Sequence, residues 1–154
     1  MSEETSSKTR MPGKILNMKY TLRKKFKFEA AHKLPNHDGK CRQLHGHSWV
    51  GWVEVCGWEL KDEGPKQGMI CDYGDIKKLL KPIVEDYLDH HYLNDTLPMN
   101  SPTSEEVARW VFRQLRGKIV GLVAVEIEET CTSSCRYEEK AGKTLMEVFE
   151  EDKK

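Results

Sequence analysis

A chain of 154 residues has room for one compact domain with one core, and its 25 basic and 25 acidic residues cancel to a net charge of zero. Without a positive field there is nothing to gather nucleic acid or to press the protein onto an anionic membrane, so neither is an expected partner. Glu3 and Glu4 stand where a signal peptide would be basic, no run reaches membrane-spanning length, and the five cysteines are odd in number and widely spread. These features predict a soluble, cytoplasmic protein with reduced thiols.

Residues 1–18 mix Ser, Thr, Lys, Glu, Pro and Gly and predict a flexible tail, the charged residues 150–154 a loose end, and residues 19–150 a single domain between them. From Tyr20 to His32 the apolar Phe26, Phe28 and Ala30 alternate with Lys25, Lys27 and Glu29, which is the period of a half-buried strand. A second strand is expected from His45 to about Leu60, with Trp49, Val53 and Val55 on one face and bends at Gly51 and Gly57. Helical spacing then runs from Asp75 to Tyr87, kinked at Pro82. Thr103-Ser104-Glu105-Glu106 reads as a capping box opening a second helix that stops near Gly117. Val123, Val125 and Ile127 predict another strand, which turns near Thr132-Ser133-Ser134 into a last one holding Tyr137 and Val148. The order is that of an α+β domain, an antiparallel sheet covered by two helices.

His45 and His47 are two apart on a strand, so their imidazoles leave the same face about 6–7 Å apart and can converge on one ion. His32 ends the apolar face of the first strand in the same way. Three imidazoles around Zn2+ leave a fourth position for water or substrate, the pattern of a catalytic site. Two alternatives compete: ordinary buried histidines satisfied by hydrogen bonds, and a closed structural zinc site made by Cys41, His45 and His47 with His37 nearby.

Cys41, beside Lys40 and near the metal, is the thiol best placed to act as a thiolate, whereas Cys56, Cys71, Cys131 and Cys135 read as small buried hydrophobes. Asp89 beside His90 and His91 is either a carboxylate that fixes a proton-carrying imidazole or a polar helix end. Glu129 continues the parity of Ile127 and should face inward, where it meets either the edge of an amidine-like heterocycle or a salt-bridge partner on a neighbouring strand.

Phe28-Glu29-Ala30-Ala31-His32, Cys41-Arg42-Gln43-Leu44-His45-Gly46-His47, Leu88-Asp89-His90-His91-Tyr92-Leu93-Asn94, Pro102-Thr103-Ser104-Glu105 and Glu129-Thr130-Cys131-Thr132 together resemble the 6-pyruvoyl-tetrahydropterin synthase family over about residues 20–138. The three-residue gap between Cys41 and His45 is similar to that of the branch that forms 6-carboxytetrahydropterin for queuosine biosynthesis. The resemblance implies a T-fold whose sheets join into barrels in a homo-oligomer, a hexamer built as a dimer of trimers, with sites between subunits. It implies zinc on His32, His45 and His47, proton transfer by Cys41, Asp89 and His90, and a pterin anchored by Thr103, Ser104, Glu105 and Glu129. The implied reaction converts the small molecule 7,8-dihydroneopterin triphosphate to 6-carboxy-5,6,7,8-tetrahydropterin, releasing acetaldehyde and triphosphate. Two other functions fit the same residues: elimination of triphosphate to a 6-pyruvoyl product, and a non-enzymatic module held together by structural zinc.

Overall fold

The computed structural model describes residues 18–139, so the expected tail, Val148 and the charged end lie outside the described residues. Strand β1 (Tyr20–His32) is bounded as its alternation predicts, because one face is buried and the other is wet. It pairs antiparallel with β2 (His45–Gly57), His32 opposite His45 and Phe26 opposite Gly51. Gly51 is not a bend. A Cβ there would meet the Phe26 ring at 2.0 Å, so the glycine makes room for an aromatic side chain while the strand runs straight through. The irregularity in β2 falls between Glu54 and Val55 instead.

Helix α1 (Tyr73–Ile83) starts two residues earlier than its apolar spacing suggests, because Asp72 caps it by accepting from the Gly74 N–H at 2.7 Å. Pro82 has no N–H to give to its turn, and the helix loosens directly after it into a π turn (Val84–Leu88) closed by the Asp89 N–H on the Val84 carbonyl at 2.7 Å. Two short elements follow that the sequence does not announce, β3 (His91–Tyr92) and α2 (Leu93–Thr96). Helix α3 (Ser104–Leu115) has half of the expected capping box. The Thr103 hydroxyl accepts from the Glu106 N–H at 3.2 Å, but the Glu106 carboxylate turns to Arg109, leaving the Thr103 N–H to the Ser101 carbonyl. Strands β4 (Leu122–Thr130) and β5 (Ser133–Glu138) complete a five-stranded sheet of order β3-β1-β2-β4-β5. The sheet is mixed rather than wholly antiparallel, since β3 lies parallel to β1 at Ala30 and Ala31.

One continuous core joins Phe26, Phe28, Trp49, Val53, Val125 and Ile127 of the sheet to Ile76 and Leu80 of α1 and to Val107 and Val111 of α3. Both longer helices therefore cover one face. The other face is not bare: Arg136 bonds Glu54 through two nitrogens at 3.0 Å and also reaches Glu138, and Ala124, paired between Glu54 and Glu138, is fully buried although its parity turns it away from the core. The guanidinium hydrogen bond holds the Glu54 carboxyl below its ordinary range, against the opposing push of burial.

Gly51→Ala should overpack the sheet at the Phe26 ring and lower stability by about 1–3 kcal/mol. The check is the midpoint of chemical unfolding, and a variant as stable as the parent would contradict the packing argument.

Candidate metal centre and active site

Antiparallel register and a side-chain period of two bring His32 from β1 and His45 and His47 from β2 to the same face at one end of the sheet. One ligand atom of each lies within 4.8 Å of the others. Trp49 closes the cluster from the core side, its ring centroid 5.0 Å from His32 and 5.4 Å from His47. His32 is fully buried.

Backbone carbonyls settle which ring nitrogens are free. His32 Nδ1 is 2.7 Å from the Pro102 oxygen and His45 Nδ1 is 2.7 Å from the Gln43 oxygen. A carbonyl only accepts, so both Nδ1 atoms carry the proton and both Nε2 atoms present a lone pair. Burial pushes the His32 ring below its ordinary value, and His45 and His47 add to this against the Pro102 carbonyl and Glu129. The reading of ordinary, satisfied histidines fails, because the buried Nε2 atoms of His32 and His47 have no hydrogen-bond partner.

Glu129 sharpens the point. Its Oε1 is 3.3 Å from His32 Nε2 and 3.6 Å from His47 Nε2, close but outside hydrogen-bond geometry. The carboxylate oxygen facing the His32 lone pair is repelled until a cation comes between or beside them. This donor set fits a divalent metal. The register between β4 and β5 shifts between Glu128 and Thr130, leaving Glu129 without a partner on β5 and turned toward the histidines. The structure thus places Glu129 on the inward face, as its parity predicts, and against imidazoles rather than a basic side chain.

Asp89 and His90 form a second cluster. The π turn delivers Asp89 to the free edge of β1, where Oδ1 accepts from the Glu29 N–H at 2.8 Å and Oδ2 lies 2.8 Å from His90 Nδ1. Those two hydrogen bonds, the backbone one first, hold the Asp89 carboxyl below its ordinary range. His90 takes a positive φ of 60°, with its N–H on the Glu29 carbonyl at 2.6 Å. A cleft of about 520 Å³ opens beside it, lined by Glu29, His47, Ser48, His90 and Tyr92 among others. His47 belongs both to the imidazole group and to the lining of this cleft.

Cys41 sits half-buried in a single 3-10 turn (Lys40–Arg42), its carbonyl held by the Leu34 N–H at 2.8 Å. It is not in the metal-ligand group among the described residues and does not line the cleft. His37 folds back on the Gly39 N–H. The closed Cys41–His37–His45–His47 arrangement is therefore not assembled. Ser104 donates to the Glu105 carboxylate at 3.1 Å, and the backbone N–H of Glu105 lowers its carboxyl further still at the start of α3. Glu105 faces Cys135, whose thiol is pushed up by burial and then by the Glu105 and Glu126 charges. Of the other cysteines, Cys56 is buried and Cys71 packs on the core, but Cys131 is exposed at the β4–β5 turn, where the hairpin leaves no body of protein to cover it. Sequence reasoning missed the two carbonyls that orient the rings, at Gln43 and Pro102, since main-chain acceptors carry no residue signature.

His47→Ala and His32→Ala should each lose the ability to hold one Zn2+ per chain, whereas Cys41→Ala and Glu129→Gln should keep it. Metal analysis after dialysis against zinc checks this. A metal-free Cys41→Ala beside a zinc-loaded His32→Ala would overturn the ligand set.

Comparison with known proteins agrees with this geometry. The family model for 6-pyruvoyl tetrahydropterin synthase matches residues 21–140. A 6-carboxy-5,6,7,8-tetrahydropterin synthase of Synechocystis sp. is 50% identical over 119 residues, 77% of this chain and 92% of the relative. A protein of the same name from Haemophilus influenzae is 34% identical over 141 residues, covering 78% of this chain and 99% of its own. Among solved structures, the 6-pyruvoyl tetrahydropterin synthase of Caenorhabditis elegans superposes with a TM-score of 0.67 at 29% identity, over 80% of this chain and 97% of that one. With the family model spanning nearly all of the described residues and close relatives covered almost end to end, the chain belongs to the 6-pyruvoyl tetrahydropterin synthase family.

Proposed function

We propose that this protein is a zinc-dependent lyase that converts 7,8-dihydroneopterin triphosphate to 6-carboxy-5,6,7,8-tetrahydropterin, releasing acetaldehyde and triphosphate, in the cytoplasmic route to queuosine. The observation that carries the reading is the set of buried, partnerless imidazole nitrogens beside Glu129, in a chain half identical over 119 residues to a protein of that name. His32, His45 and His47 hold the zinc. The chemistry that zinc supplies when bound there is Lewis-acid polarisation of the substrate's side-chain oxygens. Cys41 and the Asp89–His90 pair move protons on either side of the carbon that changes, with Asp89 fixing the His90 tautomer at 2.8 Å. Glu129 and Glu105, with Thr103 and Ser104, accept the ring N–H and amino hydrogens of the pterin. One catalytic domain, residues 19–150, carries all of these groups.

The free edges of the sheet support a closed assembly of several copies. The outer edge of β1 is covered by β3 only at Ala30 and Ala31, and the outer edge of β5 has no strand partner among the described residues.

The Caenorhabditis elegans relative gives weight to a second reading, a 6-pyruvoyl product that keeps the carbon skeleton. Incubation of the zinc-loaded oligomer, its size checked by sedimentation, with 7,8-dihydroneopterin triphosphate should yield acetaldehyde and the 6-carboxy product by mass. A 6-pyruvoyl product without acetaldehyde would select the second reading, and an active monomer would remove the closed assembly.

Glu129→Gln tests pterin recognition. The change keeps shape but sets one donor against a donor, so kcat/KM should fall at least about thirtyfold, from roughly 2–4 kcal/mol for a charge-assisted pair. A variant with a lower melting temperature and near-normal turnover would end the assignment.

A further inference from the structure

Asn94, the second residue of α2, lies outside the imidazole group, the cleft and the proton-transfer pair, yet its side-chain amide makes three hydrogen bonds to backbone. Its Oδ1 accepts from the Lys33 N–H at 2.9 Å, and its Nδ2 donates to the Lys33 carbonyl at 2.8 Å and to the Asn100 carbonyl at 3.3 Å. Lys33 is the residue directly after His32. Strand β3 pairs with β1 at Ala30 and Ala31, and the chain then leaves the sheet to coil into α2. The Asn94 amide therefore gives Lys33 the donor and acceptor that a longer β3 would have given it. Its third bond fastens the same point to the segment that runs on to Pro102, whose carbonyl takes the His32 Nδ1–H at 2.7 Å.

These bonds close a ring: the end of β1, the Asn94 amide, the 100–102 segment, and the His32 imidazole hanging from β1 and reaching back to Pro102. His32 is fully buried against Trp49, but an imidazole of fixed position still turns about its own bond to the chain. The Pro102 carbonyl is what stops that rotation, and it does so only if the 100–102 segment keeps its distance from β1. His45 needs no such device, since its Nδ1 is held by Gln43, two residues away on its own chain segment.

We propose that Asn94 is a positioning residue for the metal centre, clamping the 100–102 segment to the end of β1 so that the His32 ring presents Nε2 toward His45 and His47. The inference rests on the reading that these three histidines hold a metal. Asn94 touches neither metal nor substrate, and its effect passes through the Pro102 carbonyl.

The test compares the parent, Asn94→Ala and Asn94→Asp, the last keeping the bond from Lys33 N–H while setting a carboxylate oxygen against the Lys33 and Asn100 carbonyls. Zinc affinity is measured by competition with a chelator, site geometry by the visible spectrum of the Co2+-loaded protein, and stability by the melting temperature of the metal-free form. Loss of a group that orients a ligand weakens metal binding by about 10–100-fold, and both variants should fall in that range with an altered Co2+ spectrum. Ile76→Val, in the core beneath α1, serves as a control that lowers stability without touching this ring, and its zinc affinity should match the parent. The inference is overturned if a folded Asn94 variant binds zinc as tightly as the parent with the same Co2+ spectrum, whatever its melting temperature. Should Asn94→Ala not fold, Asn94→Asp alone decides. A parent protein that binds no zinc would instead overturn the metal reading itself, an outcome distinct from the first.

Discussion

Everything at the site depends on the register between β1 and β2. Side chains alternate along a strand, so sliding one strand by a single residue would send its histidines to the opposite face from those of its partner. The observed register sets Ala30 against His47 and His32 against His45, and the same alignment sets Phe28 against Trp49 and Phe26 against Gly51. The aromatic pairs fix it. Phe28 stacks on Trp49 at 5.6 Å between centroids, and the Phe26 ring fills the space that Gly51 leaves open. A slip would therefore bury charge, expose the stack and drive Phe26 onto a side chain. The imidazole cluster is the last layer of a core that packing has already aligned, and Trp49, whose Nε1 donates to the Ala30 carbonyl at 3.2 Å, joins the two.

Where the sheet supplies faces, irregular backbone supplies aim. Pro82 loosens the end of α1 into a π turn, which releases Asp89 toward the Glu29 N–H and forces His90 to a positive φ. At the other side of the site, the shift in register after Glu128 leaves Glu129 without a partner on β5, and the cap of α3 holds the segment whose Pro102 carbonyl fixes His32. These departures from regular geometry sit beside residues with a proposed chemical role, where local strain is tolerated because neighbouring bonds over-determine it.

That division explains what the sequence discloses. The bounds of β1, the common face of His32, His45 and His47, and the inward parity of Glu129 all follow from a period of two on a sheet with one buried face, so they can be read from residue spacing. The two-residue β3 and the one-turn α2 are too short to show any period, and their stability comes from distant partners at Ala30 and Lys33. The reach of the Glu106 carboxylate to Arg109, the burial of Ala124 between Glu54 and Glu138 and the exposure of Cys131 depend on which longer side chain happens to lie near, which spacing does not encode. Reading Gly51 as a bend failed for the same reason: the glycine answers a ring on the opposite strand, not a need of its own backbone.

The electrostatics of the site argue in one direction. Burial lowers the His32 pKa, hydrogen bonds lower those of Asp89 and Glu105, and the Glu129 carboxylate faces the lone pair of His32 Nε2. The Glu129 carboxylate and the His32 lone pair beside it disfavour a further anion, such as a polyphosphate, at this point. A balanced overall charge provides no field to offset that locally. On the proposed reading, a cation held where the three imidazole nitrogens converge would supply the positive charge that such a substrate requires. It would also relieve the repulsion between Glu129 and His32, leaving that carboxylate free to accept hydrogen bonds from a heterocycle.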